Sequence, residues 1–144
     1  TNINFLPYLK TNSEVNDFMN AIDIDLTGLS GAEGWNLPAF NATCLGKWSI
    51  VLNATSHKDW ANKSNSILIE PNGTEPCYDE KFFQEGAPFN QGNIFTWDSD
   101  VVSQAMDEAV SKKGQNNTEG EKLKDEFSYS KAVDRLLKGI EEVA

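Results

Sequence analysis

Residues 48–52, Trp-Ser-Ile-Val-Leu, constrain the fold more than any other stretch of the chain. A continuous apolar run of this length reads as a strand buried on both faces, which is the condition of a parallel sheet with helices above and below it. The residues before it complete the unit. Ile22, Ile24 and Leu26 alternate with aspartates and predict a strand over 22–26, ending in the turn-like Thr27-Gly28. Pro38 falls where the first position of a helix should be, because its missing N–H would have no partner there anyway. The helix runs from about Leu37 to Leu45, and Gly46 stops it. Strand, helix and strand so closely spaced imply a parallel crossover.

A similar unit is expected upstream. Residues 3–6, Ile-Asn-Phe-Leu, read as a short strand, and Asn12, Ser13 and Glu14 offer capping groups to a helix whose apolar positions are Val15, Phe18, Met19 and Ile22. Downstream, residues 66–69 predict another strand, and the proline- and glycine-rich stretch 70–95 predicts a long loop. Asp98 or Ser99 can cap a helix carrying Val101, Val102, Ala105, Met106, Ala109 and Val110, which the polar residues 112–120 break. A final amphipathic helix over 130–143 places Val133, Leu136, Leu137, Ile140 and Val143 on one face.

The 144 residues suffice for one domain and not for two. A net charge of -10 argues against a grip on nucleic-acid phosphates. No apolar run is long enough to span a membrane, and the first residues lack the basic-then-apolar pattern of a signal peptide. Cys44 and Cys77 stand in no metal-binding spacing, with His57 the single histidine, so a reduced, cytoplasmic setting is expected. Asn41, Asn53, Asn62, Asn72 and Asn116 each open an Asn-x-Ser/Thr triplet, but an asparagine-rich chain makes these by chance and Asn41 falls in an expected helix.

A parallel sheet binds ligands beyond the carboxyl ends of its strands. The loop from Thr27 to Asn36 lies at such an end and runs into a helix. Gly31 and Gly34 let main-chain amides approach a ligand, and the helix N-terminus adds unpaired N–H groups and partial positive charge. This is a place for an anion, most simply a phosphate.

Here the residues themselves add something. SGAEGWNLPAFNATCLGK, residues 30–47, resembles the Glu-Gly-aromatic-Gly-Leu-Pro…Glu-Ala…Gly signature of retaining glycosyltransferases with the two-domain GT-B architecture. YLKTNSEVNDFMNAIDIDLTGLS before it, and WSIVLNATSHKDWANKSNSILIEPNG, FTWDSDVVSQAMDEAV and FSYSKAVDRLLKGIEEV after it, resemble successive parts of the same family's donor domain. The resemblance implies a Rossmann-like parallel sheet with flanking helices, the incomplete C-terminal half of a GT-B fold, over residues 1–144. It implies a nucleotide-diphosphate sugar as substrate, with no metal and no other cofactor. Glu33 would contact the donor sugar, the amides of Gly34, Trp35, Asn36 and Leu37 would face the sugar and diphosphate, and Asn41 would stand by the ribose.

Two departures bear on that expectation. The family's second glutamate, eight positions after the first, is Asn41 here, with no charge and a shorter reach. The Gly-Arg…Lys segment that clamps the diphosphate is not in the sequence, and Thr1 stands where an initiator Met would. The chain therefore reads as a fragment whose acceptor-binding domain or partner chain lies elsewhere. The alternative is a noncatalytic interaction module, for which a homodimer or an exposed apolar face on the terminal helix would speak.

Other signals compete. Asp23-Ile24-Asp25 puts two carboxylates on one side of a strand as a metal would want, but the alternation already explains the segment as half-buried. His57 could be a base or a phosphate contact, while a histidine in a polar turn is more often exposed or capping. Cys44 reads as a small core residue, and Trp35 as either a ligand contact or core. The stretch 71–95 could recognise an acceptor or pack on itself.

Overall fold

The computed structural model describes residues 2–89 and 91–143. Its centre is the strand the apolar run predicts. β2, Trp48–Leu52, lies between β1, Ile24–Gly28, and β3, Ile67–Ile69, with both pairings parallel. Ile50 and Leu52 point to one face, where Ile67, Ile69 and the residues Val102, Ala105 and Ala109 of α3, Ser99–Ser111, close a core. Val51 points to the other, against Ala39 and Cys44 of α2, Leu37–Cys44, together with Trp60 and Leu123. The architecture is mixed α/β, a three-stranded parallel sheet flanked by helices and compatible with a Rossmann-like arrangement.

Local signals act as their chemistry requires. Asp98 caps α3 through the Asp100 amide. α1, Asn12–Ala21, is capped by Thr11 in a reciprocal box with Glu14, one residue earlier than the capping group read from the sequence. Pro38 takes the second helical position of α2, Leu37 the first. Gly46 then leaves the helix at φ +78°, a conformation that favours glycine.

Three expectations are corrected. Residues 3–6 form no strand: they are exposed, with Phe5 93% accessible, and pair with no strand among the described residues. A strand exists only through its ladder, so suitable side chains next to Pro7 do not make one. The first expected crossover unit is consequently not formed, and α1 lies against α2 without a buried side chain. The next strand begins at Ile24 instead of Ile22, because Ile22 serves as the C-cap of α1.

The stretch expected as loop carries an antiparallel pair, β4, Gly73–Pro76, and β5, Asn93–Thr96, with Gly73 opposite Thr96. Between them the chain turns on Asp79, whose carboxylate accepts the amides of Lys81, Phe82 and Phe83 at 2.7–2.9 Å. The polar break after α3 resumes as two short helices, α4, Thr118–Glu121, and α5, Leu123–Glu126, which bury Gly120 and Leu123. The terminal helix α6, Tyr129–Glu141, has the expected amphipathic face but buries none of it. No helix among the described residues is long and apolar enough to cross a membrane.

Candidate functional site

Two loops meet at the carboxyl ends of β1 and β2. The first, residues 29–36, follows β1 and leads into α2. The second follows β2 and contains the 3-10 turn Thr55–Asp59. The first loop is held almost entirely by its carbonyls. The Leu29 carbonyl accepts Trp97 Nε1 at 2.8 Å and the Gly31 carbonyl the Phe95 amide at 3.0 Å. The Glu33 carbonyl accepts Ser56 Oγ at 2.9 Å and the Trp35 carbonyl Trp60 Nε1 at 3.1 Å.

Alternate carbonyls are therefore turned into the protein, by the hairpin on one side and by the second loop on the other. The amides of Glu33, Gly34, Trp35, Asn36 and Leu37 donate no hydrogen bond among the described residues. Successive main-chain N–H groups left free in this way form a partial positive surface suited to an anion. Gly34 and Leu37 are exposed, so the loop opens to solvent at those two positions.

The side chains of these residues have structural partners of their own. Asn36 is buried at φ 59°, and its side chain is fully used: Nδ2 donates to the Thr27 carbonyl at 2.8 Å, and Oδ1 accepts the Ala39 amide at 3.2 Å. It caps α2. The Trp35 ring packs edge-on against Phe40 and Phe127, at centroid distances of 5.4 and 5.1 Å. It is part of an aromatic cluster, not an open stacking platform. Gly31 serves close packing against the Phe95 backbone and not a ligand, whereas a Cβ at Gly34 would meet nothing.

Glu33 is half-buried at the rim, with its carboxylate near enough to His57 to act on the charge of that ring. Asn41 is exposed on α2 and lines a different feature, a cleft of about 370 Å³ between α1 and α2 that it shares with Asn12, Val15, Asn16, Cys44 and Lys124. Glu33 does not line that cleft. Cys44 is buried, and burial pushes its thiol up to about 11, which leaves it an unreactive core residue.

His57 departs furthest from expectation. Instead of sitting exposed in its turn, it is wholly buried, with Nδ1 2.9 Å from the Leu52 carbonyl oxygen and the ring edge-on to Trp60. The two aspartates of the Asp-x-Asp pattern part company. Asp23 lies before β1, exposed and 3.4 Å from Lys113 Nζ, while Asp25 is buried and accepts from the Thr27 hydroxyl at 2.9 Å. The described residues contain no cluster of three metal-ligating side chains.

No family model and no curated protein matches this chain. Ser56 and Trp60 turn the loop's carbonyls inward, a role that their place in the sequence, a polar turn and an aromatic that could stack on a sugar or fill the core, does not announce. A hydroxyl and an indole in a separate loop carry no pattern that links them to residues 33 and 35.

Proposed function

We propose that this chain is the donor-binding part of a retaining glycosyltransferase, holding the diphosphate of a nucleotide sugar on the amides of residues 34–37. The observation that carries this reading is the pinning of the Leu29, Gly31, Glu33 and Trp35 carbonyls, which leaves the neighbouring amides unbonded at the carboxyl ends of a parallel sheet. Cleavage of the glycosidic bond leaves negative charge on the departing nucleoside diphosphate. Amides fixed in advance stabilise that charge more in the transition state than in the ground state. Glu33, at the rim of the same loop, binds sugar hydroxyls. Asn41 lies in the cleft between α1 and α2, where the ribose would have to reach for the two to share one ligand.

Backbone resonances test the reading. Adding uridine or guanosine diphosphate should move the amide signals of residues 34–37, and Glu33→Gln should weaken nucleotide-sugar binding without altering the unfolding midpoint. Shifts confined to other segments would dispose of the site.

One observation favours a second reading, the noncatalytic interaction module. Val133, Leu136, Leu137 and Ile140 of α6 are each more than half exposed and form one apolar face. If that face is an interface, Leu136→Lys should reduce association measured by sedimentation. A monomer at all concentrations would leave this reading without support.

A further inference from the structure

Three buried side-chain polar atoms have no partner among the described residues, and two of them, Thr55 Oγ1 and His57 Nε2, belong to the one turn that follows β2. The backbone there is also strained. Thr55 sits at φ 51°, which a β-branched residue seldom adopts. Asn36 shares the left-handed conformation, but its side chain is repaid by two hydrogen bonds. Thr55 has no such return, since its hydroxyl is one of the unpartnered atoms. Strain and unsatisfied polar groups together mark places where structure is kept for something other than stability.

The chemistry of the pair is specific. A carbonyl oxygen only accepts, so the Leu52 carbonyl beside Nδ1 fixes the ring proton on Nδ1 and leaves Nε2 a bare lone pair. Burial holds the ring below its ordinary value of 6.5, so it is neutral at pH 7. A lone pair repels phosphate oxygens and accepts from a hydroxyl. Thr55 Oγ1, two residues earlier in the same turn, both donates and accepts. The phosphate role considered for His57 is thus the wrong polarity for this geometry.

We propose that His57 Nε2 and Thr55 Oγ1 form a hydroxyl-recognition site, taking hydroxyls of the neutral sugar portion of the ligand. The inference rests on the donor-binding reading and adds to it the residues that would read the sugar. Ser56, which stands between Thr55 and His57 in the turn, donates through Oγ to the Glu33 carbonyl, and Trp60 Nε1 donates to the Trp35 carbonyl, with the exposed Gly34 between those two anchors in open space. A hydroxyl reaches the pair if the Ser56 bond to the Glu33 carbonyl opens, while Trp60 Nε1 keeps the Trp35 carbonyl, and the amides beyond it, in place.

His57 is the single histidine of the chain, so its ring nitrogens are resolved without ambiguity after uniform nitrogen-15 labelling. On addition of uridine-diphosphate glucose or guanosine-diphosphate mannose, the Nε2 signal should move as a hydroxyl donates to it, whereas the bare nucleoside diphosphates should move only the amides of residues 34–37. His57→Asn keeps a side-chain N–H for the Leu52 carbonyl and removes the Nε2 acceptor. It should weaken nucleotide-sugar binding about tenfold and leave nucleotide binding unchanged. Thr55→Gly should raise the melting temperature while lowering nucleotide-sugar affinity.

An Nε2 signal that stays fixed while the sugar nucleotides shift the 34–37 amides would overturn this inference and leave the donor-binding reading standing. If neither nucleotide nor sugar nucleotide perturbs any of these signals, both fall together. A Thr55→Gly protein that is more stable and binds sugar nucleotides unchanged would make the strain merely structural, and that too would overturn the site.

Discussion

The backbones of Gly31 and Phe95 touch: the Phe95 amide donates to the Gly31 carbonyl at 3.0 Å, and a Cβ on Gly31 would stand 1.9 Å from the Phe95 carbonyl oxygen. This contact joins the antiparallel hairpin to the loop after β1. It holds one of the four carbonyls that other segments pin in a loop whose amides at residues 33–37 have no acceptor among the described residues. Gly31→Ala should therefore destabilise the protein by about 1–3 kcal/mol through forced separation of the two segments. Gly34→Ala, with open space at its Cβ, should stay within about 0.5 kcal/mol of the parent. Thermal unfolding of the two variants side by side checks the contrast.

Asn117 is a buried clasp between distant parts of the chain. Its Nδ2 donates to the Lys47 carbonyl at 3.0 Å and the Asn65 carbonyl at 2.7 Å, and its Oδ1 accepts the Gly120 amide at 2.9 Å. Asn117→Leu removes every one of these bonds and should cost about 1–3 kcal/mol for each group left buried and unpaired. Urea unfolding should show a lower midpoint; an unchanged midpoint would mean that water replaces the amide.

Asp25 makes stability depend on pH. Burial pushes its carboxyl above the ordinary 3.8, partly offset by hydrogen bonds from Thr27 and Ser49. The folded state therefore holds this proton more tightly than the unfolded state. Its contribution is complete below 3.8 and is lost as pH rises through the folded value. Asp25→Asn should abolish that loss, so the variant should gain stability relative to the parent at pH 7 and not at pH 3. Denaturant midpoints across the acid range give the answer.

His57 acts in the opposite direction. Burial lowers its folded value below 6.5 against the weaker raising effects of the Leu52 carbonyl and the Glu33 carboxylate. Its contribution is present above 6.5 and is lost as pH falls through the folded value. Stability should decline on acidification below that point, and His57→Asn should flatten the decline. A histidine proton titration with its midpoint at or above 6.5 would contradict the burial.

α6 and β2 should respond very differently to substitution. Ile50 is wholly buried between the sheet and α3, and Ile50→Ala should cost about 2–5 kcal/mol. Ile140 of α6 is half exposed and touches no core, so Ile140→Lys should change stability by no more than about 0.5 kcal/mol. Calorimetric scans of the two variants separate a core element from an unpartnered one.

What the sequence determined by itself was whatever a short window encodes. The apolar run of β2, the Asp98 cap, the Pro38 start and the Gly46 stop of α2, and the period of α6 are all decided by neighbours within a turn or two. The loop after β1 was legible for the same reason, as a strand end running into a helix. Tertiary structure decided the rest. Residues 3–6 look like a strand but pair with none among the described residues, while β4 and β5 look like loop and do pair, Gly73 with Thr96. The burial of His57 depends on the Leu52 carbonyl and Trp60 closing around it, and the arrangement that leaves the amides of residues 33–37 unbonded depends on Ser56, Trp60, Phe95 and Trp97 arriving from other segments. A hydrogen bond between residues far apart in sequence leaves no periodic trace in either, so only the assembled fold reveals which polar groups it satisfies and which it leaves free.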